Sequence, residues 1–162
     1  MLKDTCEVDI LIATGTHVAM TEAECSRIFG DIPYSRFISH NWRTDVQKVG
    51  EAPKEFVEEI SEGLYSEPVV YEINKRLLDP SYDLILSIGQ VVPHEVVGMA
   101  NYTKNLLVGC GGSAIINASH IIGAVYGMER MMGKDFSPVR RLFDYADENY
   151  LAELPLCYVL TV

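Results

Sequence analysis

The sequence predicts an α/β domain in which a mainly parallel β-sheet is flanked by helices, in a Rossmann-like three-layer architecture. Segments 9–15 and 82–89 are continuous apolar runs rather than alternating ones, which is typical of strands covered on both faces. Strand patterns alternate along the chain with amphipathic helical patterns, as in sheets built from βα units. The 162 residues show no repeat and no linker, so we expect residues 1–162 to form a single domain.

Three further segments are predicted to be strands: 35–40, 68–73 and 154–162. Each is short and contains the β-branched, aromatic or other apolar side chains that pack well in a pleated sheet. The last segment ends abruptly at Val162, without a polar closing stretch.

The first two helices are predicted from their start signals. Thr21 is followed three residues later by Glu24, the spacing of a capping box, and Gly30 lies where a helix C-terminal glycine is expected. Pro53 begins the second helix, over residues 53–64, because proline suits the first helical turn. Its predicted apolar stripe comprises Phe56, Val57, Ile60 and Leu64.

Two more helices are predicted in the second half of the chain. Ser113 is expected to cap the third helix, and Pro138 to begin the fourth. The third helix is expected to run through Ile115, Ile116, Ile121 and Ile122. The apolar residues expected to face the core from the fourth are Val139, Leu142, Phe143 and Ala146.

Composition excludes several classes of protein. Thirteen basic and 23 acidic residues give a net charge of −10, which argues against a nucleic-acid binder and against adhesion to an anionic membrane. No apolar run approaches the roughly 18–20 residues of a membrane span, and the N-terminus does not resemble a signal peptide. The four cysteines are scattered, which predicts reduced thiols and a cytoplasmic protein. The oligomeric state is left open.

Two histidines follow the strongest predicted strands. Ligands of open α/β sheets gather beyond the carboxyl ends of strands, and each of these strands leads through a glycine to a histidine, His17 or His94. Two imidazoles on opposite sides of a substrate are what a racemase needs, since one removes a proton and the other restores it. A single histidine is more often a surface or hydrogen-bonded core residue, and we keep that interpretation for His40.

Lys104 precedes two apolar residues and the glycine-rich segment 109–113. A lysine against apolar surface has a lowered pKa and can serve as a covalent attachment point. The glycine-rich segment leads into a predicted helix and could hold a phosphate through backbone N–H groups. A surface lysine and an ordinary turn are the alternatives, because the spacing matches neither the Walker loop nor the dinucleotide fingerprint.

His120 lies in an apolar run with no cysteine or histidine three or four residues away. One imidazole does not make a conventional zinc site, so metal binding here requires ligands from a cofactor. A core histidine bonded to a neighbour is the alternative.

Together these residues resemble the nickel-dependent lactate racemase family. Residues 12–24, Ile-Ala-Thr-Gly-Thr-His-Val-Ala-Met-Thr-Glu-Ala-Glu, are similar to the family sequence ATGxHRPMTxxE. Residues 93–109 are similar to the block PHxxxGFSGGRKxxxPG, with His94, Gly98 and Lys104 in matching places. His120 follows at the family's further histidine position, and the likeness runs from about residue 8 to the end.

The resemblance implies a nickel-pincer nucleotide, a modified pyridinium mononucleotide joined to Lys104 by a thioamide, with His120 as the protein ligand to nickel. It implies an isomerase: a racemase or epimerase of 2-hydroxy acids that works by reversible hydride transfer to this cofactor. His17 and His94 would be its acid/base pair. Further cofactor contacts are expected from Thr14, Gly15 and Gly98.

The chain departs from the family blocks at two places. Val18-Ala19 replaces Arg-Pro, and residues 100–103 replace Ser-Gly-Gly-Arg. We therefore expect a lactate-like or larger 2-hydroxy acid, including sugar acids, as the substrate. Family members are longer, so we expect this chain to be part of a longer enzyme, to have the remaining domains of that enzyme as partners and to have little activity alone.

Two other functions stay open. The first is a non-catalytic nucleotide-binding or partner-binding module that kept the fold and lost the chemistry. The second is a metal-dependent lyase or isomerase that uses His17, His94 and Glu95 without an organic cofactor.

Overall fold

A computed structural model describes residues 5–162. The strands are β1 (Ile10–Ile12), β2 (Phe37–Ser39), β3 (Val46–Ala52), β4 (Val69–Asn74), β5 (Ile85–Gln90), β6 (Pro93–His94), β7 (Gly98–Met99) and β8 (Leu156–Thr161). The α-helices are α1 (Glu22–Phe29), α2 (Lys54–Ile60), α3 (Ser113–Tyr126), α4 (Met128–Met131) and α5 (Pro138–Ala146). Short 3₁₀ turns cover Tyr34–Arg36 and Lys75–Leu78, and π-helical turns cover Asn105–Gly109 and Asp147–Leu151.

The strands pair two by two. β1 pairs with β2 and β5 with β8 in parallel, whereas β3–β4 and β6–β7 are antiparallel. Mixed helix and strand with parallel pairs confirms the α/β class, and each of the five predicted strand segments contains a strand. A mainly parallel sheet is too simple a description, because β4 pairs with an antiparallel strand, β3, that the sequence did not predict. The Rossmann-like three-layer arrangement stays a prediction.

The core lies between β4 and the helices α2, α3 and α5. β4 packs against α3, which in turn packs against α5. Tyr71 of β4 is fully buried, and its hydroxyl donates a 2.7 Å hydrogen bond to the carbonyl of Leu142 in α5. The segment with β1, α1 and β2 contributes no residue to this main cluster in the part of the chain that is described. This segment therefore lies beside the main core and is not part of it.

Two helices begin as predicted. The Glu24 N–H donates to Thr21 Oγ1 at 3.3 Å and the Thr21 N–H donates to the Glu24 carboxylate at 2.8 Å, which completes the capping box of α1. At the other end of α1, Gly30 is the C-terminal cap, with φ +73°. α5 begins at Pro138 after the capping residue Ser137. The four residues predicted to be buried from α5 are all buried: Val139, Leu142, Phe143 and Ala146.

Two local predictions are wrong, although α3 runs through the four isoleucines as expected. The capping position of α3 is Gly112 rather than Ser113, and no side chain caps it. Leu64 is 46% exposed because α2 already ends at Ile60, so the helical stripe does not extend that far.

The apolar run at β5 is not covered on both faces by the described residues. Leu86 is 43% exposed and Ile88 is 66% exposed, while Ser87 between them is buried. Val159 of β8, paired with Ile88 in parallel register, is also exposed. Within residues 5–162, no helix has both the length and the apolarity required to cross a bilayer.

Candidate functional site

The turn after β1 is held against the end of the π-helical turn. The Gly15 N–H donates to the Gly109 carbonyl at 2.8 Å, and the His17 N–H donates to the Thr14 carbonyl at 3.0 Å. Gly15 has φ +57°, and a Cβ there would lie 3.1 Å from the Val108 carbonyl oxygen, so both conformation and space favour glycine. Thr14 Oγ1 is buried and has no hydrogen-bond partner among residues 5–162, which leaves one polar atom available to a ligand.

His94 lies in a tight antiparallel hairpin, where the Val96 N–H donates to its Nδ1 at 3.1 Å. Because a backbone N–H can only donate, Nδ1 must accept, and the neutral ring carries its proton on Nε2. Burial lowers the pKa of His94, and the positive charge of Lys104 lowers it further, while the Glu95 carboxylate opposes both. His94 therefore presents a neutral Nε2–H donor.

Lys104 follows two residues with left-handed backbone conformation. Asn101 has φ +62° and Tyr102 has φ +59°, and these are the positions of the two glycines in the family block. Asparagine tolerates this conformation, whereas tyrosine rarely adopts it. Burial lowers the pKa of the Lys104 amine, and Arg140 lowers it further against the opposing charge of Glu95. A larger neutral fraction makes this amine a better nucleophile than an exposed lysine.

Arg140 of α5 holds this turn in place and was not predicted from the sequence. Arg140 is 8% exposed, and its guanidinium donates to Thr103 Oγ1 at 2.9 Å, to the Met99 carbonyl at 2.7 Å and to the Asn101 carbonyl at 3.4 Å. No carboxylate of residues 5–162 lies within ion-pair distance of it. Its position three residues before Phe143, on the buried stripe of α5, is the sequence signal that could have identified it.

His120 projects from α3 and is exposed. Its Nδ1 lies 2.6 Å from the Ile116 carbonyl oxygen one turn earlier, so Nδ1 carries the proton and donates. The lone pair of Nε2 is then free, which is the form of histidine that binds a metal ion.

Charge interactions connect Lys104 and His120 to His94. Lys104 and His120 both lower the pKa of His94 and of the neighbouring carboxylate Glu95. His17 is exposed in a groove at the ends of β1 and β2 that these three residues do not line, and no hydrogen bond or ion pair within residues 5–162 joins it to them. The structure therefore gathers three of the four predicted chemical groups.

Backbone conformation and close packing both require glycine at position 98. It has φ +93°, and a Cβ there would collide with the Lys134 carbonyl oxygen. Its own carbonyl accepts from the Gly133 N–H at 2.8 Å. Its contact with a cofactor stays a prediction.

The glycine-rich segment is not a phosphate cradle. Three of its five N–H groups are already used: Cys110 donates to the Asn105 carbonyl, Gly111 to the Val108 carbonyl and Gly112 to the Glu72 carbonyl. The Glu72 carboxylate also accepts from the Ala114 N–H at 3.2 Å, so a negative charge already occupies the N-terminus of α3. The contact between Glu72 of β4 and the start of α3 is tertiary, and no local sequence motif indicates it.

His40 is a buried, fully hydrogen-bonded histidine, as interpreted from the sequence. Its Nε2 donates to the Gly111 carbonyl at 2.9 Å, and its Nδ1 accepts from the Asn74 amide at 2.9 Å. Burial lowers its pKa, which keeps the ring neutral. His40 thus ties the end of β2 to β4 and to the glycine-rich segment.

A family profile described as "Lactate racemase N-terminal domain" matches residues 3–132. The chain belongs to this family. Membership supports a racemase and isomerase context for the site. No group of three or more His, Cys, Asp or Glu side chains in the described part of the chain could hold a metal ion without further ligands. A search of curated protein sequences gave no match.

Solved structures share the fold. A protein from Thermotoga maritima superposes with a TM-score of 0.81 at 24% identity, covering 93% of this chain and 38% of that chain. The lactate racemase apoprotein from Thermoanaerobacterium thermosaccharolyticum superposes with a TM-score of 0.68 at 23% identity, covering 98% of this chain and 36% of that chain. The chain therefore spans little more than a third of the length of either solved chain.

Proposed function

We propose that this chain is the cofactor-holding domain of a 2-hydroxy acid racemase or epimerase. The observation that supports this best is the grouping of His94, Lys104 and His120, in which burial lowers the pKa of Lys104 and the Nδ1 contact of His120 leaves its Nε2 free. Lys104 would hold a nickel-pincer nucleotide covalently, and the free Nε2 of His120 would bind its nickel. The substrate would be a small 2-hydroxy acid, lactate-like or larger.

The residues present fit such a cofactor. Thr14 Oγ1 is an orphaned buried hydroxyl that could hydrogen-bond a ribose or phosphate, and it follows β1 close to the turn of Gly109. A nickel ion with several ligands from the nucleotide needs only one protein ligand, which agrees with an isolated His120. The Glu72 carboxylate at the start of α3 keeps phosphate away from that helix end, so the phosphate would be held elsewhere.

When bound, the nickel-pincer nucleotide supplies a reversible acceptor for the Cα hydride, which no side chain of the chain provides. His94 would donate a hydrogen bond from its Nε2–H to the substrate oxygen, because the Val96 N–H occupies Nδ1. His17, exposed at the end of β1, would accept the hydroxyl proton and later return it. His94 and His17 would therefore contribute differently, one as a fixed hydrogen-bond donor and the other as the acid/base group.

A non-catalytic nucleotide-binding or partner-binding module is the second candidate. The occupied N-terminus of α3 favours the partner-binding form of this candidate, since the Glu72 carboxylate stands where a nucleotide phosphate would bind. Val18 and Ala19, in place of Arg-Pro, also leave the groove of His17 without the family's cation at that point.

Intact mass spectrometry separates the two. We expect the complete protein, produced with nickel and the cofactor's biosynthetic enzymes, to show an adduct that maps to Lys104. Lys104→Arg should abolish the adduct, while Lys134→Arg, at an exposed lysine, should keep it. No adduct on the unmodified protein would overturn the proposal, and nucleotide binding that survives Lys104→Ala would favour the module.

A further inference from the structure

An open groove of about 340 Å³ lies where β1 and β2 end. The two strands are parallel, with Ile12 opposite Ser39, so the segments that follow them, 16–19 and 39–43, meet at one edge and line the groove together. His17 contributes from the first segment and Arg43 from the second. The groove therefore combines an imidazole and a guanidinium at the edge of a sheet where ligands commonly bind.

Arg43 is an exposed cation without an acidic partner. No carboxylate in the described part of the chain lies within ion-pair distance of it, although the protein has a net charge of −10. Its guanidinium carbon lies 3.7 Å from the centroid of the Trp42 ring. Stacking on an aromatic face restricts the guanidinium and leaves its edge free to bind an anion.

The loop around Arg43 is internally bonded. The Arg43 N–H donates to Asn41 Oδ1 at 3.1 Å, and the Thr44 and Asp45 N–H groups donate to the Asn41 carbonyl at 3.2 and 2.9 Å. Both oxygens of Asp45 are also used, one by the Asn41 N–H at 3.1 Å and one by Thr44 Oγ1 at 2.9 Å. The nearby carboxylate therefore organises the loop instead of neutralising Arg43.

The same bonds indicate which anion fits. Phosphate sites in proteins are typically built from free backbone N–H groups, and those of Asn41, Arg43 and Thr44 are already taken. A single planar guanidinium matches a planar carboxylate, which it binds through two parallel hydrogen bonds. The His17 imidazole lines the same groove as Arg43.

We infer that the His17–Arg43 groove binds the carboxylate of a small 2-hydroxy acid through Arg43, with the 2-hydroxyl towards His17. This inference rests on the proposed function, whose substrate it would anchor. In this chain Val18-Ala19 stand where the family has Arg-Pro, so the segment after β1 lacks the arginine of the family. Arg43, from the segment after β2, would supply a cation to the groove instead.

Trp42 is the single tryptophan of the chain and reports on this groove directly. We expect saturable changes in its fluorescence with lactate and with gluconate, a sugar acid, and isothermal titration calorimetry should give the same affinities. Lactamide, which has the hydroxyl but no charge, and inorganic phosphate should bind at least about tenfold more weakly than lactate.

Arg43→Gln should weaken lactate binding at least about tenfold, the usual cost of a charge-assisted pair, and Arg43→Lys should weaken it less. Arg141→Gln, at an exposed arginine of α5, should bind lactate as the unmodified protein does. Equal affinity of Arg43→Gln and unmodified protein would overturn the inference, as would equal affinity for lactamide or tighter binding of phosphate. Lys104→Arg separates this result from the proposed function, because it should lose the adduct and keep lactate binding.

Discussion

Replacing Arg140 tests how the turn before Lys104 is held. In Arg140→Met, the Met99 and Asn101 carbonyls and Thr103 Oγ1 lose their donor. A buried acceptor left without a partner costs about 1–3 kcal/mol, while removing a buried charge returns part of that cost. We expect a net loss of about 3 kcal/mol in the free energy of unfolding, which lowers the urea midpoint by roughly 1.5 M for a domain of this size.

The matched control is Arg141→Met on the same helix. Its guanidinium is about half-exposed and pairs with Glu59 at 3.1 Å, an arrangement worth about 0–1 kcal/mol. Arg140→Met should also shift the reaction of Lys104 with trinitrobenzenesulfonate to higher pH, because loss of the Arg140 charge and greater exposure of the amine both raise the Lys104 pKa. Equal urea midpoints for the Arg140 and Arg141 variants, with unchanged labelling of Lys104, would refute this explanation of the turn.

Three other predictions concern protonation. Long-range ¹H–¹⁵N spectra at neutral pH should show the proton of His94 on Nε2, and a proton on Nδ1 would show that the Val96 contact is wrong. Burial lowers the pKa of His40 in the folded protein, so the unfolded chain binds a proton at this residue more readily. The free energy of unfolding should therefore fall as the pH drops below about 6.5, and His40→Gln should reduce this pH dependence in urea titrations. Burial raises the pKa of the Cys110 thiol to about 12, so Ellman's reagent should label exposed Cys157 in the native protein, and Cys110 only on unfolding.

Features set by nearby residues were predictable from the sequence. The capping box of Thr21 and Glu24 and the start of α5 at Pro138 depend on backbone groups within one helical turn, and both are observed. β3 was missed because a bulge between Lys48 and Gly50 interrupts the alternation of its side chains. A strand that changes face in this way has no periodic signal in the sequence.

The candidate site was predictable as a set of residues but not as an arrangement. His94, Lys104 and His120 were identified from spacing and from the family resemblance, and the structure adds which ring nitrogen of each histidine is free. Glu72 and Arg140 reach the glycine-rich segment and the turn before Lys104 from distant elements. Such contacts depend on how β4 and α5 pack, which local patterns do not encode.

The most direct test of the account is the nickel content of adduct-bearing protein, measured beside the mass of the adduct. The complete protein should contain one nickel per adduct, His120→Ala should keep the adduct and lose the nickel, and Lys104→Arg should lose both. Ile121→Ala, at the exposed residue next to His120, is a control that should keep both. Nickel retained at one per chain in His120→Ala, or in Lys104→Arg, would contradict a cofactor site made by these two residues.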